Sequence, residues 1–347
     1  GCTAVFPIQI MKVKAGVNLN PGDPNYDLYK YSWKVTARRF FPNYLNLDAS
    51  YNKDDIWDVN DPKRYEHEVA TMGCRTRVYE NLNGPKTSIG RGNLSFTTIN
   101  LVKIALECKD PNDYFTDLTK YVKLAIKQLK ERYNFQKTAL KKQFPLLMSG
   151  MWNGSENLNV DDTVESVISQ GTLGVGYIGL AEALIVLTGK HHGESESSQN
   201  LGLRIVAYIK HLVDIAKTTS GLNYAVLATP AEGLAGKFTL KDRKQFGIIE
   251  RVTDKDYYTN SNHVPVYYKC TPSHKAAIEG PYHKLTLGGH IFYVEADSDI
   301  TKNPEAIDAI VRLGIKNDCG YISVNHFQAR CPKCNFEAND KFTKECP

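Results

Sequence analysis

The sequence predicts an α/β fold, because strand patterns and helix patterns alternate along it. Alternating apolar residues from Val5 to Val13 predict a first strand, and a helical pattern from about Asp27 to Arg39 follows. Tyr44–Leu47 then predicts a second short strand. The 347 residues are 42 % hydrophobic, which is enough apolar material for one large domain or two ordinary ones.

Composition argues against several classes of protein. A net charge of +5, from 43 basic and 38 acidic residues, is compatible with an anionic ligand but does not predict nucleic-acid binding. No apolar run approaches the ~18 residues of a membrane span, and the first residues lack the pattern of a signal peptide. The eight cysteines, several of them single, do not resemble a secreted disulfide framework. We therefore expect a cytoplasmic protein in a reducing compartment, with no membrane partner.

A polar, aspartate-rich stretch over 48–66 predicts a surface loop, and the most distinctive segment of the chain follows it. Cys74 lies between Gly73, which permits a sharp turn, and two arginines, Arg75 and Arg77, whose charge favours a thiolate over a thiol. Inert buried cysteines usually lie in apolar runs, whereas polar, glycine-rich sequence flanks this one. We interpret Cys74 as a reactive cysteine on a loop.

Residues 112–144 predict an amphipathic helix whose apolar face carries Phe115, Leu118 and Val122. Its other face is rich in basic residues, namely Lys120, Lys123, Lys127, Lys130, Arg132, Lys137, Lys141 and Lys142. That face could contact nucleic acid or simply be solvated. Acidic residues among the lysines, and the lack of interleaved arginine and aromatic residues, favour the solvated face. We expect no direct nucleic-acid binding.

Gly174-Val-Gly-Tyr-Ile-Gly179 has the spacing of a dinucleotide-binding fingerprint. That motif requires a preceding strand, whereas Val164–Ile168 predicts a helix capped by Asp161–Thr163. We therefore reject dinucleotide binding here. The glycines are assigned instead to close backbone approach before a helix at Leu180–Thr188.

Two adjacent histidines, His191 and His192, lie close to Glu194 and suggest a metal site. Adjacent side chains diverge, however, whereas ligands on one helix are three or four residues apart. Structural hydrogen bonding is therefore the better interpretation. A helix from about Ser198 to Lys217 follows.

Tyr224–Ala228 predicts a buried strand that ends in the turn Thr229-Pro-Ala-Glu-Gly233. Backbone N–H groups at such a turn suit a phosphate group, although an ordinary strand-to-helix connection fits equally well. Farther on, strand patterns at His290–Glu295 and Tyr321–Val324 flank a helix that begins at Asn303-Pro-Glu305 and ends near Leu313. No repeat or linker divides residues 1–325, which we expect to form one catalytic α/β domain.

The cysteine-rich tail over 326–347 predicts a separate zinc-binding module. Cys331-Pro-Lys-Cys334 is a two-residue-spaced knuckle, and Cys346 has the position of the first cysteine of a second knuckle. A structural zinc site needs four ligands, and the fourth would fall just past Pro347. Because Gly1 is not an initiator methionine, we expect this sequence to be a segment of a longer chain, cut at both ends.

Two long motifs stand out, Ala70-Thr-Met-Gly-Cys-Arg-Thr-Arg77 and Gly90-Arg-Gly-Asn-Leu-Ser-Phe-Thr-Thr-Ile-Asn-Leu101. Shorter ones accompany them: Gly16-Val-Asn, Asp23-Pro-Asn-Tyr-Asp27, Gly176-Tyr-Ile-Gly-Leu-Ala-Glu182, Gly189-Lys-His-His-Gly-Glu-Ser195, Ala228-Thr-Pro-Ala-Glu-Gly233, Tyr257-Tyr-Thr-Asn-Ser261 and His263-Val-Pro-Val266. In this order they resemble the anaerobic, class III ribonucleoside-triphosphate reductases, a family of glycyl-radical enzymes.

The resemblance implies part of a ten-stranded α/β barrel and the reduction of ribonucleoside triphosphates to 2′-deoxyribonucleoside triphosphates for DNA synthesis. In that chemistry a stored glycyl radical converts Cys74 to a thiyl, which takes the 3′-hydrogen before water leaves from C2′. Asn93 matches a family asparagine near the substrate, and Arg75 would position the loop or the substrate. The substrate phosphates would bind at Thr229, Pro230, Ala231, Glu232 and Gly233.

The resemblance also implies cofactors and partners. These are formate or a thiol protein as reductant, a structural zinc ion, a radical-SAM iron–sulfur activase and a second copy of the chain in a homodimer. The radical glycine would follow the zinc module, outside this sequence, so Cys319-Gly-Tyr321 is not the radical motif. We expect the segment alone to have no turnover. Two alternatives stay open: another glycyl-radical enzyme, such as a lyase or dehydratase, or a non-catalytic binding module.

Overall fold

The computed structural model describes residues 7–108, 110, 113–297, 299–326, 329–331, 333–334 and 337–338. Helices and strands alternate along it, which confirms the predicted α/β class. The chain divides into two compact units. The first unit contains the described residues of 1–55, 271–280 and 291–347, and the second contains those of 56–270 and 281–290.

The elements are named in chain order. The helices are α1 (Tyr26–Arg39), α2 (Leu101–Glu107), α3 (Tyr114–Gln136), α4 (Glu165–Ile168), α5 (Leu180–Thr188), α6 (Glu196–Ser220), α7 (Glu232–Phe246), α8 (Pro272–His283) and α9 (Glu305–Lys316). The strands are β1 (Ile10–Val13), β2 (Asn43–Asn46), β3 (Ala70–Met72), β4 (Thr76–Val78), β5 (Asn93–Asn100), β6 (Thr172–Ile178), β7 (Asn223–Ala228), β8 (Phe292–Ala296), β9 (Tyr321–His326), β10 (Ala329–Arg330) and β11 (Glu337–Ala338).

The first unit is built on a mixed sheet in the order β1-β2-β9-β8. β1 and β2 are parallel, β2 and β9 are antiparallel, and β9 and β8 are parallel. Its core contains Tyr29 and Trp33 from α1, Phe292 from β8 and Val311 from α9. Cys319 is fully buried in the same core, which is the environment of an inert structural cysteine.

The second unit is built on a parallel sheet in the order β5-β6-β7. Side chains alternate between the two faces of a strand. One face, which includes Ile99, Val175 and Val226, packs in a core with residues of α3 and α6. On the other face Gly174 approaches Phe96, and Gly176 approaches Thr98 and Thr229, so the two glycines leave room for side chains of the neighbouring strands.

The carboxyl ends of β5, β6 and β7 lie at one edge of this sheet, because the three strands are parallel. Asn100, Gly179 and Thr229 end or follow these strands. Ligands of open α/β sheets bind at such an edge. The turn that begins at Thr229 therefore lies where a binding site is expected.

Several predicted elements are confirmed. The helix over Leu180–Thr188 has the predicted bounds, and α1 differs from its prediction by one residue. The first strand covers only Ile10–Val13 of the residues predicted for it, and residues 1–6 lie outside the described residues.

Two predictions in the second unit are wrong. The helix predicted over 112–144 ends at Gln136, because the chain then turns to pair its backbone with the segment near Val164, where Lys141 N donates to Asp162 O. Asp161–Thr163 does not cap a helix, since α4 begins at Glu165 after Val164. The glycine-rich segment also forms a strand, β6, that the sequence did not predict.

Many lysines on α3 and after it have acidic neighbours. Lys120 contacts Asp117 at 2.7 Å, and Lys137 contacts Glu165 at 2.8 Å. These contacts fit a solvated helix face. Over the part of the chain that the structure describes, no helix combines the length and apolarity needed to cross a membrane.

Candidate active site

Cys74 lies at the tip of a short hairpin formed by β3 and β4. Met72 pairs with Thr76, so the connecting turn consists of Gly73, Cys74 and Arg75. Gly73 has a φ of 60°, a left-handed conformation that glycine adopts at little cost. Cys74 is a half-buried thiol without a disulfide bond. The predicted reactive cysteine is therefore presented on a tight turn.

The hairpin is attached to β7 by an extended segment, Gly288–His290. On one side, Gly288 N donates to Val226 O at 2.7 Å and Ala228 N donates to Gly289 O at 2.9 Å. On the other side, Arg77 N donates to Gly288 O at 3.0 Å and His290 N donates to Arg75 O at 3.1 Å. The segment thus joins the Cys74 hairpin to the last residues of β7.

Gly289 makes this close approach possible. A Cβ atom at this position would lie 2.3 Å from Arg75 O and 2.9 Å from Leu227 Cδ1, and its φ of 143° disfavours other residues. Gly288–His290 runs parallel to β7, and β4 runs antiparallel to both. The turn before β4, which carries Cys74, therefore lies at the carboxyl end of β7, level with Thr229.

The two arginines that flank the cysteine have different surroundings. Arg77 is 2 % exposed and forms a double hydrogen bond with Glu80, with N–O distances of 2.7 and 2.8 Å. Burial raises the pKa of Glu80, but the charge and hydrogen bonds of Arg77 outweigh it, and the pKa lies below its usual value. Arg75, also buried, extends a guanidinium N–H to Thr229 O at 3.5 Å. Arg77 therefore stabilises the base of the hairpin, whereas Arg75 connects its tip to the Thr229 turn.

The Thr229 turn closes the end of β7. Thr229 is fully buried, and its hydroxyl lies 3.2 Å from the hydroxyl of Thr98 on β5. α7 begins at Glu232, so the five predicted residues form the connection and first turn of a helix. The first backbone N–H groups of a helix have no partner within it and attract anions. The structure therefore brings Cys74, Arg75 and this turn together.

Asn93, the other predicted catalytic residue, lies at the start of β5 and pairs with Thr172. Its side-chain oxygen is buried without a hydrogen-bond partner. Thr98, which contacts Thr229, is five residues farther along the strand, or about 16 Å at the rise of a β-strand. The structure does not bring Asn93 to the Thr229 turn.

Sequence reasoning missed two buried carboxylates near the same edge. Glu182 Oε1 accepts hydrogen bonds from the backbone N–H and the hydroxyl of Thr259, at 2.8 and 2.6 Å. Asp242 accepts hydrogen bonds from Asn100 at 2.7 Å and from Tyr258 at 2.9 Å. Burial raises the pKa of Glu182. The sequence signal for Glu182 is its position as the one acidic residue of the apolar helix α5, at the end of the motif Gly176-Tyr-Ile-Gly-Leu-Ala-Glu182.

The adjacent histidines make structural hydrogen bonds, which confirms the preferred interpretation. His191 Nδ1 accepts a hydrogen bond from Gly193 N at 3.0 Å, and a ring nitrogen of His192 lies 3.0 Å from Asn262 O. Glu194 accepts from His191 N at 2.8 Å and pairs with Arg251 at 2.6 Å. These contacts fix the connection between α5 and α6.

The predicted zinc ligands lie beyond β9. β10 and β11 pair in antiparallel fashion, so Cys331 and Cys334 lie in the connection between two paired strands. Cys346 lies outside the described residues. Among the residues that are described, no three His, Cys, Asp or Glu side chains are grouped to hold a metal ion. A hairpin that carries two cysteines two residues apart fits half of a structural zinc site.

Comparisons with known proteins bear on this arrangement. The sequence profile of the family "Anaerobic ribonucleoside-triphosphate reductase" matches residues 1–347. The anaerobic ribonucleoside-triphosphate reductase of Escherichia coli K12 is 32 % identical over 355 residues, which cover 99 % of this chain and 48 % of that protein. The chain therefore spans about half the length of this relative.

Solved structures share the fold at low identity. The anaerobic ribonucleotide reductase from Thermotoga maritima in complex with dATP and CTP has a TM-score of 0.64 at 17 % identity, over 95 % of this chain and 51 % of that one. The B12-independent glycerol dehydratase from Clostridium butyricum has a TM-score of 0.61 at 10 % identity, over 91 % and 46 %. The fold alone does not separate the two enzymes, but the profile and the sequence identity do. The chain belongs to the anaerobic ribonucleoside-triphosphate reductase family.

Proposed function

We propose that the protein containing this chain reduces ribonucleoside triphosphates to 2′-deoxyribonucleoside triphosphates by radical chemistry, with Cys74 as the residue that attacks the substrate. One observation carries the proposal: the Cys74 turn lies level with Thr229 at the carboxyl edge of the parallel sheet. A sulfur atom and a phosphate-binding turn side by side suit a nucleotide that binds across both. Family membership supports this choice of substrate.

Cys74 would give its thiol hydrogen atom to a glycyl radical on another part of the full-length protein and so become a thiyl. We propose that the Cys74 thiyl then takes the hydrogen atom from C3′ of the ribose. The 2′-hydroxyl would take up a proton and leave as water, and formate or a thiol protein would supply two electrons and the hydrogen that C2′ gains, becoming carbon dioxide or a disulfide. The Cys74 thiol would finally return its hydrogen atom to C3′, and the thiyl so formed would recover a hydrogen atom from the radical glycine.

Binding would be divided between the turn and its neighbours. The N–H groups at Ala231, Glu232 and Gly233 suit the triphosphate, with Thr229 and Pro230 shaping the turn. Arg75 adds positive charge between this turn and the cysteine. For Asn93 we propose a hydrogen bond to the ribose or the reductant, which its unpartnered side-chain oxygen supports. That role requires a substrate or reductant that reaches the start of β5.

Other parts of the proposal follow from the family. The parallel sheet of the second unit would be part of a ten-stranded barrel, and the protein would act as a cytoplasmic homodimer with a radical-SAM activase. Cys331 and Cys334 would hold a structural zinc ion together with Cys346. Zinc would stabilise the tail, and the proposed chemistry does not pass through it.

The rival is a dehydratase of the glycyl-radical type, which the similarity to glycerol dehydratase favours. The full-length protein, activated without oxygen, should convert a ribonucleoside triphosphate to its 2′-deoxy product and leave glycerol unchanged. Dehydration of glycerol, with no deoxynucleotide formed, would overturn the proposal. The 347-residue segment under the same conditions should give no turnover, which controls for activity that does not need the complete protein.

A further inference from the structure

The segment that attaches the Cys74 hairpin to β7 is itself fixed by a pair of buried histidines. His290 is 2 % exposed and His283 is fully buried, and their rings pack against each other in a tilted arrangement, with centroids 4.2 Å apart and planes 33° apart. His290 Nδ1 lies 2.9 Å from Thr286 O. Because a carbonyl oxygen only accepts hydrogen bonds, Nδ1 must carry a hydrogen atom. Thr286 and the neighbouring His283 ring thus both hold the ring of His290 in place.

The backbone of His290 reaches the cysteine turn directly. Its N–H donates to the carbonyl of Arg75, the residue that follows Cys74. The segment has little freedom to adjust, since Gly289 contacts Arg75 O and Leu227 Cδ1 closely on its two sides. A displacement of the His290 backbone would therefore move the turn that carries Cys74 or break this hydrogen bond.

We propose that His290 is a positioning residue for Cys74, holding the cysteine turn at a fixed place above the end of β7 through its hydrogen bond to Thr286 and its contact with His283. The importance of Cys74 as the attacking sulfur rests on the proposed function, whereas the position of the turn does not. A hydrogen atom moves to or from a sulfur only when the two reacting atoms are in contact. A displacement of the sulfur by about 1 Å can therefore lower the rate roughly 100-fold. Rigid support behind the turn meets that need.

The burial of His290 fits a positioning role. Burial, with the positive charge of Arg77 nearby, lowers the pKa of His290 to about 3. The ring therefore stays neutral at physiological pH and keeps one protonated nitrogen for Thr286. Its backbone N–H donates to Arg75 O, so it acts on the Cys74 turn through the segment that it fixes.

The test compares three variants of the full-length protein. His290→Leu removes the hydrogen bond, His290→Asn keeps a side-chain N–H where Nδ1 was, and His191→Leu removes an equally buried histidine from the far end of α5 as a matched control. The first readout is the rate at which iodoacetamide alkylates Cys74, measured by mass spectrometry of the Cys74 peptide with the Cys108 peptide as internal reference. The second readout is kcat for deoxynucleotide formation, compared with the affinity for the ribonucleoside triphosphate.

His290→Leu should change the alkylation rate of Cys74 several-fold and lower kcat roughly 10- to 100-fold, with nucleotide affinity nearly unchanged. In His290→Asn and in the His191→Leu control, the alkylation rate of Cys74 and kcat should both stay close to the wild-type values. If His290→Leu does not fold, His283→Ala repeats the test. This variant removes the imidazole ring that packs against His290 but leaves the hydrogen bond between His290 Nδ1 and Thr286 O.

An alkylation rate and kcat equal to those of wild type in the folded variant would overturn the proposal, as would failure of His290→Asn to restore them. The alkylation readout needs no radical chemistry, so it separates the two proposals. If wild type forms no deoxynucleotide but the alkylation rates follow the expected order, the proposed function fails and the positioning role stands.

Discussion

At the scale of single residues, the glycines of the site matter because they lack a side chain and so allow neighbouring groups to pack closely. Gly176 on β6 faces Thr229, and a Cβ atom there would lie 1.9 Å from Thr229 Oγ1 and 3.2 Å from Thr98 Oγ1. The absence of a side chain at Gly176 therefore lets the Thr229 turn pack on the sheet. The dinucleotide-like spacing of these glycines reflects this packing.

Gly176→Ala should lower the free energy of unfolding by roughly 1–3 kcal/mol, because the added methyl must displace the Thr229 side chain. Urea denaturation measures the loss. Gly233→Ala is a stability control, since nothing lies within 4 Å of a Cβ atom there, and it should be neutral or stabilising by up to ~1 kcal/mol. Equal stability of the two variants would contradict the packing of Gly176 against Thr229.

His290 should make stability depend on pH. Its pKa falls from 6.5 when exposed to about 3 in the folded protein, so between these values the unfolded state binds more protons. The contribution of the neutral His290 to the free energy of unfolding is therefore complete above about pH 6.5 and is lost progressively as the pH falls toward 3. Arg77, His283 and Thr286 lie near the ring, and the lowered pKa of Glu80 favours its ionised form beside Arg77.

Between pH 6.5 and 4.5 this histidine should account for roughly 2 kcal/mol of lost stability, because the slope rises to about 1.36 kcal/mol per pH unit once the unfolded-state imidazole is protonated. His290→Asn does not titrate, so its unfolding free energy should fall by that much less over the same range. Chemical denaturation of both proteins at the two pH values measures the difference. Parallel pH profiles would show that His290 is not held neutral in the folded state.

At the scale of elements, Arg91 fixes the segment that follows the Cys74 hairpin. This residue is 6 % exposed and donates hydrogen bonds to the carbonyls of Tyr79, Glu80, Thr87 and Gln170, at 2.8 to 3.0 Å. Burial lowers its pKa to about 10, which still leaves it charged at neutral pH. One guanidinium thus ties residues 79–87 to the start of β6.

Arg91→Lys should destabilise the protein by roughly 1–3 kcal/mol, because an ammonium group cannot reach carbonyls that a planar guanidinium contacts at once. Arg132→Lys is the matched control, since Arg132 is exposed and donates to Phe96 O, and it should cost less than about 0.5 kcal/mol. Thermal unfolding of both variants gives the comparison. Similar losses would mean that Arg91 acts mainly as a charge.

Sequence predicted the bounds of α1 and α5 well and those of the short strands less well. α5 and α1 have apolar residues at helical spacing over several turns, so their bounds followed from the pattern. β3 and β4 have three residues each, too few for a period, and glycine is disfavoured inside strands, so its presence in β6 hid that strand. β6 forms because β5 and β7 satisfy its backbone groups on both sides, and β4 pairs with β3 and with Gly288–His290.

The candidate site was predicted in the same uneven way. Cys74 and the Thr229 turn were identified from local sequence, but their proximity depends on Gly288–His290, which local sequence does not connect with them. Asn93 lies apart from the turn because strand register, which the sequence did not provide, sets its place on β5. The roles of His290, Glu182 and Asp242 likewise depend on contacts across the fold.

At the scale of the whole molecule, the two compact units are each built from separate stretches of chain. The described residues of 271–280 and 291–347 belong with those of 1–55, while residues 281–290 belong with the described residues of 56–270. No composition change marks these boundaries, so sequence alone could not predict them. The segment with His283 and His290 is the short stretch that returns to the second unit.

The cysteine tail gives a prediction for the full-length protein. Cys331→Ser and Cys334→Ser should each abolish or sharply reduce bound zinc, since a hydroxyl does not replace a thiolate ligand. Metal analysis of the purified proteins measures the stoichiometry, with Cys108→Ser as the control that keeps its zinc. Full zinc content in both variants would place the metal elsewhere.

The most direct test of the account concerns Cys74 itself. Deoxynucleotide formation by the activated full-length protein should be lost in Cys74→Ser, because the serine O–H bond is too strong for a glycyl radical to break. The variant should still bind ribonucleoside triphosphate and fold like wild type, since Cys74 is only half-buried, and Cys108→Ser should keep full activity. Deoxynucleotide formation at the wild-type rate by Cys74→Ser would contradict the central claim.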